Sequence, residues 1–88
     1  MGKYEVSLRR SVLKKDLPRI PKADVRRIVE AIRSLADDPR PHGVQKLSGQ
    51  ERYRVRQGNY RIVYSVQDEE RTVWVVKVGH RREVYRHD

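Results

Sequence analysis

The chain has 88 residues, 36% of them hydrophobic and 38% charged, which supports one small domain with a thin core. Its formal charge is +9, and 15 of its 21 basic residues are arginine, a bias suited to nucleic acid, an anionic surface or an acidic partner. The absence of cysteine excludes disulfides, thiol nucleophiles and thiolate-bound metals; with no signal peptide and no apolar run long enough to span a bilayer, a soluble cytoplasmic protein is expected.

Residues 3–8 alternate polar and apolar, which predicts an opening strand with Tyr4, Val6 and Leu8 facing inward. A basic segment over residues 9–17 carries Val12, Leu13 and Leu17 at helical spacing, and Pro18 and Pro21 interrupt it. Val25, Ile28, Val29, Ile32, Leu35 and Ala36 then form one apolar stripe, predicting a helix over residues 22–36. The segment 37–43, with two prolines and Gly43, reads as a connector in which His42 is a surface residue. Strands are expected at 52–57 and 60–66 around a tight Gly58-Asn59 turn. A third follows at 72–78, its apolar run suiting an interior position buried on both faces. The fold class is therefore α+β, in the order βααβββ: a small antiparallel sheet, two N-terminal helices on one face, and a short basic C-terminal segment.

Parity along the strands locates the charge. Tyr60, Ile62, Tyr64 and Val66 share one face, expected to meet the helices, and Trp74, Val76 and Val78 are expected to join them. That leaves Arg54, Arg56, Arg61 and Lys77 on the open face with Val63, Val73 and Val75, and Arg81 near a strand end. Guanidiniums that converge without a counter-charge suit phosphate, to which each planar fork donates paired hydrogen bonds. The competing arrangement pairs these arginines with Glu51, Asp68 or Glu69. His80 is the histidine adjacent to the cluster in sequence and a candidate acid or base. Three scattered histidines without cysteine offer no metal-ligand set, and Ser7, Ser11 and Ser34 lack a His/Asp arrangement for hydrolase chemistry.

The runs Lys46-Leu47-Ser48-Gly49, Tyr53-Arg54-Val55-Arg56, Asn59-Tyr60-Arg61-Ile62-Val63-Tyr64 and Val78-Gly79-His80-Arg81-Arg82-Glu83-Val84-Tyr85 closely resemble the RelE/ParE toxin superfamily, its RelE branch in particular. The resemblance implies a ribosome-dependent mRNA endonuclease that cuts A-site codons by attack of the RNA 2′-hydroxyl on the adjacent phosphate, without a metal or cofactor. It implies as partners mRNA, the ribosome with its 16S rRNA, and an acidic RelB-like antitoxin, with no membrane association. By position it assigns catalytic roles to Arg54, Arg56, Arg61, Arg81 and Tyr85, the last as a base-stacking residue. Lys77, His80 and Arg82 are expected to contact RNA. Where the best-known members carry lysines, this chain has Arg54 and Arg56. Arginine stays protonated at any workable pH, so their expected role is electrostatic. The alternative function is a ParE-like gyrase poison without ribonuclease activity; a plain RNA-binding module is a third.

Overall fold

A computed structural model describes residues 3–47 and 52–84. Strand β1 (Glu5–Leu8) leads into an irregular helical segment, a π-helical turn at Val12–Asp16 followed by a 3-10 turn at Leu17–Arg19. Helix α1 spans Lys22–Ser34, and strands β2 (Gln45–Lys46), β3 (Arg52–Gln57), β4 (Tyr60–Gln67) and β5 (Thr72–His80) follow, with a short α2 at Arg81–Val84. The α+β class holds, with both helical segments on one face.

The first helical segment is irregular because Pro18 cannot donate a backbone hydrogen bond to a continuing helix, and Pro21 restarts the chain. Pro21 lies outside α1, and its carbonyl takes the amides of Asp24 and Val25 at 2.9 and 3.0 Å. Asp24 near the helix start and Arg33 near its end complement the helix dipole. Four members of the predicted stripe, Val25, Ile28, Ile32 and Leu35, form the packing face. Ile28, Ile32 and Leu35 are buried with Val12 and Ile20 against Tyr53, Ile62, Tyr64, Val66, Val73, Val75 and Val78.

The sheet order is β1-β5-β4-β3-β2. It is mixed rather than purely antiparallel, because β1 pairs parallel with β5, Leu8 opposite Val75. The helical excursion between β1 and the meander carries the chain across the face, and a strand placed beside β5 through such a crossover runs parallel. The two-residue β2, paired with β3, was not anticipated. The hairpin between β3 and β4 closes through Gly58, whose φ of +59° at the first central position is the type II′ pattern that glycine adopts without strain.

One irregularity reorders a face. Val63 pairs with Lys77 but Tyr64 pairs with Val75, so Val76 is an extra residue, a β-bulge in β5. Before the bulge Val73 and Val75 point to the helices; after it Val78 does. The expected sides of Val73, Val75, Trp74 and Val76 are thereby reversed. Val76 packs with Val63 and Leu47 on the opposite face. Trp74, opposite Ser65 and Ser7, is 39% exposed there instead of lying in the core.

Candidate phosphate-binding site

Cross-strand register arranges the open face in rows. Arg56 lies opposite Arg61 and Arg61 opposite Gly79; the next row joins Arg54, Val63 and Lys77. Paired residues in adjacent strands share a face, so Arg54, Arg56 and Arg61 project together, as their alternation implies. They line a cavity of about 280 Å³ with His42, Gly43, Gln45 and Val55. Arg61 is held most firmly. It is only 7% exposed, and its Nη1 donates to the Tyr60 carbonyl at 3.2 Å, which fixes the fork against β4. Arg54 donates to the Gln45 side chain, a contact made possible by β2, where Gln45 is the register partner of Arg54.

Asp68, a candidate counter-charge from the sequence, is engaged away from this cluster. Asp68 takes a two-pronged bond from Arg40 (3.1 and 2.8 Å) and the Tyr4 hydroxyl at 2.7 Å. Those bonds, Arg40 first and Tyr4 second, hold its carboxyl down at about 2. The same carboxylate raises the Tyr4 phenol. Arg40 also lies over the Tyr53 ring, 5.2 Å from its centre, and donates Nε to the Tyr53 hydroxyl at 3.1 Å. Tyr64 donates to the Pro39 carbonyl at 2.7 Å, and burial raises its phenol. This network clamps the connector to the sheet and so sets where His42 and Gly43 emerge. Glu51 lies outside the described residues. Among the described residues that line the cavity there is no carboxylate.

The remaining candidates are distributed differently. Lys77 is not an uncompensated cation: its ammonium lies 3.2 Å from the Asp16 carboxylate. Asp16, 7% exposed, also accepts the Val78 amide at 3.0 Å. The parallel pairing ends at Val75, whose carbonyl accepts from Arg9, so the carboxylate serves the β5 edge where β1 has run out. His80 stands edge-on to Tyr60 with ring centres 5.9 Å apart. It lines a second cavity of about 240 Å³ with Asp16, Arg19, Tyr60 and Lys77 and does not line the arginine cavity. Arg81 opens α2, its amide bonded to the Asn59 carbonyl at 2.9 Å, which sets its backbone beside the hairpin end that bears Arg56 and Arg61. Arg82 is exposed next to it. Tyr85, like Ser48 and Gly49 of the first motif, lies outside the described residues.

His42 is exposed, as the sequence implies, but its place beside the arginines, like the roles of Gln45 and Asp16, was missed. Gln45 had a readable signal only if β2 were foreseen. The positions of His42 and Asp16 depend on how a loop and a helical end dock on the sheet, which no local pattern encodes.

Residues 7–85 match the family described as ParE toxin of the type II toxin-antitoxin system, parDE. Toxin RelG of Mycobacterium tuberculosis is 32% identical over 77 residues, spanning 83% of this chain and 86% of that protein. The RelE–RelB complex of Pyrococcus horikoshii contains a chain that superposes with a TM-score of 0.80 at 34% identity, covering 90% of this chain and 96% of that one. The intact RelBE toxin-antitoxin complex of Escherichia coli gives 0.75 at 25% identity, covering 88% and 95%.

Proposed function

The chain belongs to the RelE/ParE superfamily as a RelE-type toxin of a type II toxin-antitoxin system, and we propose that it cleaves mRNA in the ribosomal A site without a metal or cofactor. The observation that carries this reading is the cavity in which Arg54, Arg56 and Arg61 meet on one face of the sheet. In the proposed reaction the 2′-oxygen bonds to the adjacent phosphorus and the P–O5′ bond breaks, leaving a 2′,3′-cyclic phosphate and a 5′-hydroxyl. Negative charge builds on the phosphate oxygens, and donors already fixed in place stabilise it without reorganising. Arg61, buried and tied to the Tyr60 carbonyl, is the best preorganised of them. Arg56 and Arg54 extend the same field, and Arg81 would close on the phosphate from the start of α2. Tyr85 would stack on a base and orient the backbone for in-line attack. Arg82 would contact RNA further out. Lys77, engaged by Asp16, would contribute little to RNA binding.

The partner proposed is an acidic RelB-like antitoxin, in keeping with the charge of +9 and with two similar structures being complexes with RelB. The proposed compartment is the cytoplasm, where ribosomes and mRNA are. A ParE-like action on DNA gyrase is the second reading, favoured by the description of the matching family. Induced expression followed by mapping of mRNA 5′ ends separates the two. Codon-phased cuts within translated frames are expected; a DNA-damage response with intact messages would establish the gyrase reading instead.

A further inference from the structure

The arginines leave one chemical task undone. Attack by the 2′-oxygen requires its proton to leave, and a guanidinium, protonated at any workable pH, cannot accept it. We infer that His42 is the proton acceptor of this reaction, an assignment that rests on the ribonuclease reading above.

Three observations carry it. The arginine cavity is lined by His42 together with Arg54, Arg56 and Arg61, and imidazole is the one group among those lining residues whose ordinary titration range lies near neutrality. The loop that bears it is built in place: Gly43 adopts φ +87°, a conformation glycine takes without strain, and the Val44 amide donates to the Pro41 carbonyl at 3.1 Å. Just beyond, Gln45 pairs with Arg54 in register and by side chain, tying the loop to the strand that carries two of the arginines. His80, the candidate named from sequence, lines the other cavity with Tyr60, Asp16 and Lys77. Among the described residues, the charged groups that line the cavity with His42 are the three guanidiniums, which would stabilise the phosphorane once the proton is gone.

The step balances without a further reagent. An imidazole nitrogen of His42 takes the 2′-hydroxyl proton as the O2′–P bond forms. The P–O5′ bond breaks, and the departing 5′-oxygen takes a proton from water.

The test uses the purified full chain and mRNA bound to ribosomes programmed with a single A-site codon. His42→Gln, checked for unaltered thermal unfolding, should lose roughly 100-fold or more in kcat with little change in KM. The limb of the pH–rate profile that rises towards neutrality should disappear, and added imidazole should restore part of the rate to His42→Ala. A substrate with sulfur in place of the bridging 5′-oxygen, whose leaving group needs no proton, should leave the His42→Gln defect intact. Full recovery on that substrate would overturn the assignment by making His42 the acid. Parent-like kcat and pH profile in folded His42→Gln would also overturn it, while the ribonuclease reading stood. If the parent chain cut no ribosome-bound mRNA, that reading would fail and the assignment with it.

Discussion

Asp68 holds together parts of the chain that are far apart in sequence, accepting from Tyr4 and from both terminal nitrogens of Arg40. Its carboxyl sits at about 2 rather than near 3.8. A depressed folded value means the contact contributes stability above the unfolded value and loses it as pH falls from about 4 through about 2. Carboxyl NMR should find the Asp68 midpoint near that lower figure, and Arg40→Ala should return it towards 3.8. A midpoint that ignored the substitution would remove Arg40 as the cause. Asp16 is the more deeply placed carboxylate. Replacing it with alanine strands the Val78 amide and frees Lys77, an expected loss of about 1–3 kcal/mol in urea unfolding. Asp16→Asn keeps an acceptor for the amide and should lose less. Equal losses would mean that the ion pair, and not the amide contact, carries the effect. None of this was legible from residue type, because both carboxylates find their partners through tertiary contacts across 28 to 64 positions in the chain.

At the scale of elements, local period was a reliable guide where the chain is regular. The stripe of α1 and the alternation of β3 and β4 placed Ile28 and Ile32 in the core and Arg54, Arg56 and Arg61 together on the open face. Ile28, fully buried, should cost about 2–5 kcal/mol when truncated to alanine. Period failed at the bulge. A single extra residue at Val76 inverts every earlier side chain of β5, and a run of valines carries no parity of its own to reveal it. Trp74 reports on this directly, being the only tryptophan in the chain. Its emission should resemble that of a solvent-accessible indole and be readily quenched by acrylamide. A blue-shifted, protected emission from the isolated chain would place it back in the core and contradict the bulge. The parallel pairing of β1 with β5 was equally unreadable, since alternation states which face a strand buries but not which neighbour it takes.

Across the whole molecule the charge is organised rather than diffuse. Part of it is consumed in scaffolding, where Arg40 meets Asp68 and Lys77 meets Asp16, while the arginine cavity has no carboxylate among its described lining residues. An acidic antitoxin should therefore associate quickly at low salt and more slowly as salt rises, since exposed charges are screened beyond roughly 8–10 Å at physiological ionic strength. Stopped-flow rates that ignore salt over that range would argue against electrostatic steering. If the preorganised guanidiniums of this cavity promote RNA cleavage on the ribosome, Arg61, the most constrained of them, should matter most. The most direct measurement is single-turnover cleavage of ribosome-bound mRNA by the parent chain and by Arg61→Gln, each verified as folded by its thermal transition. Codon-positioned cuts are expected from the parent, and a loss on the order of a hundredfold or more in the variant. Cleavage by folded Arg61→Gln at the parent rate would contradict that role for the guanidiniums.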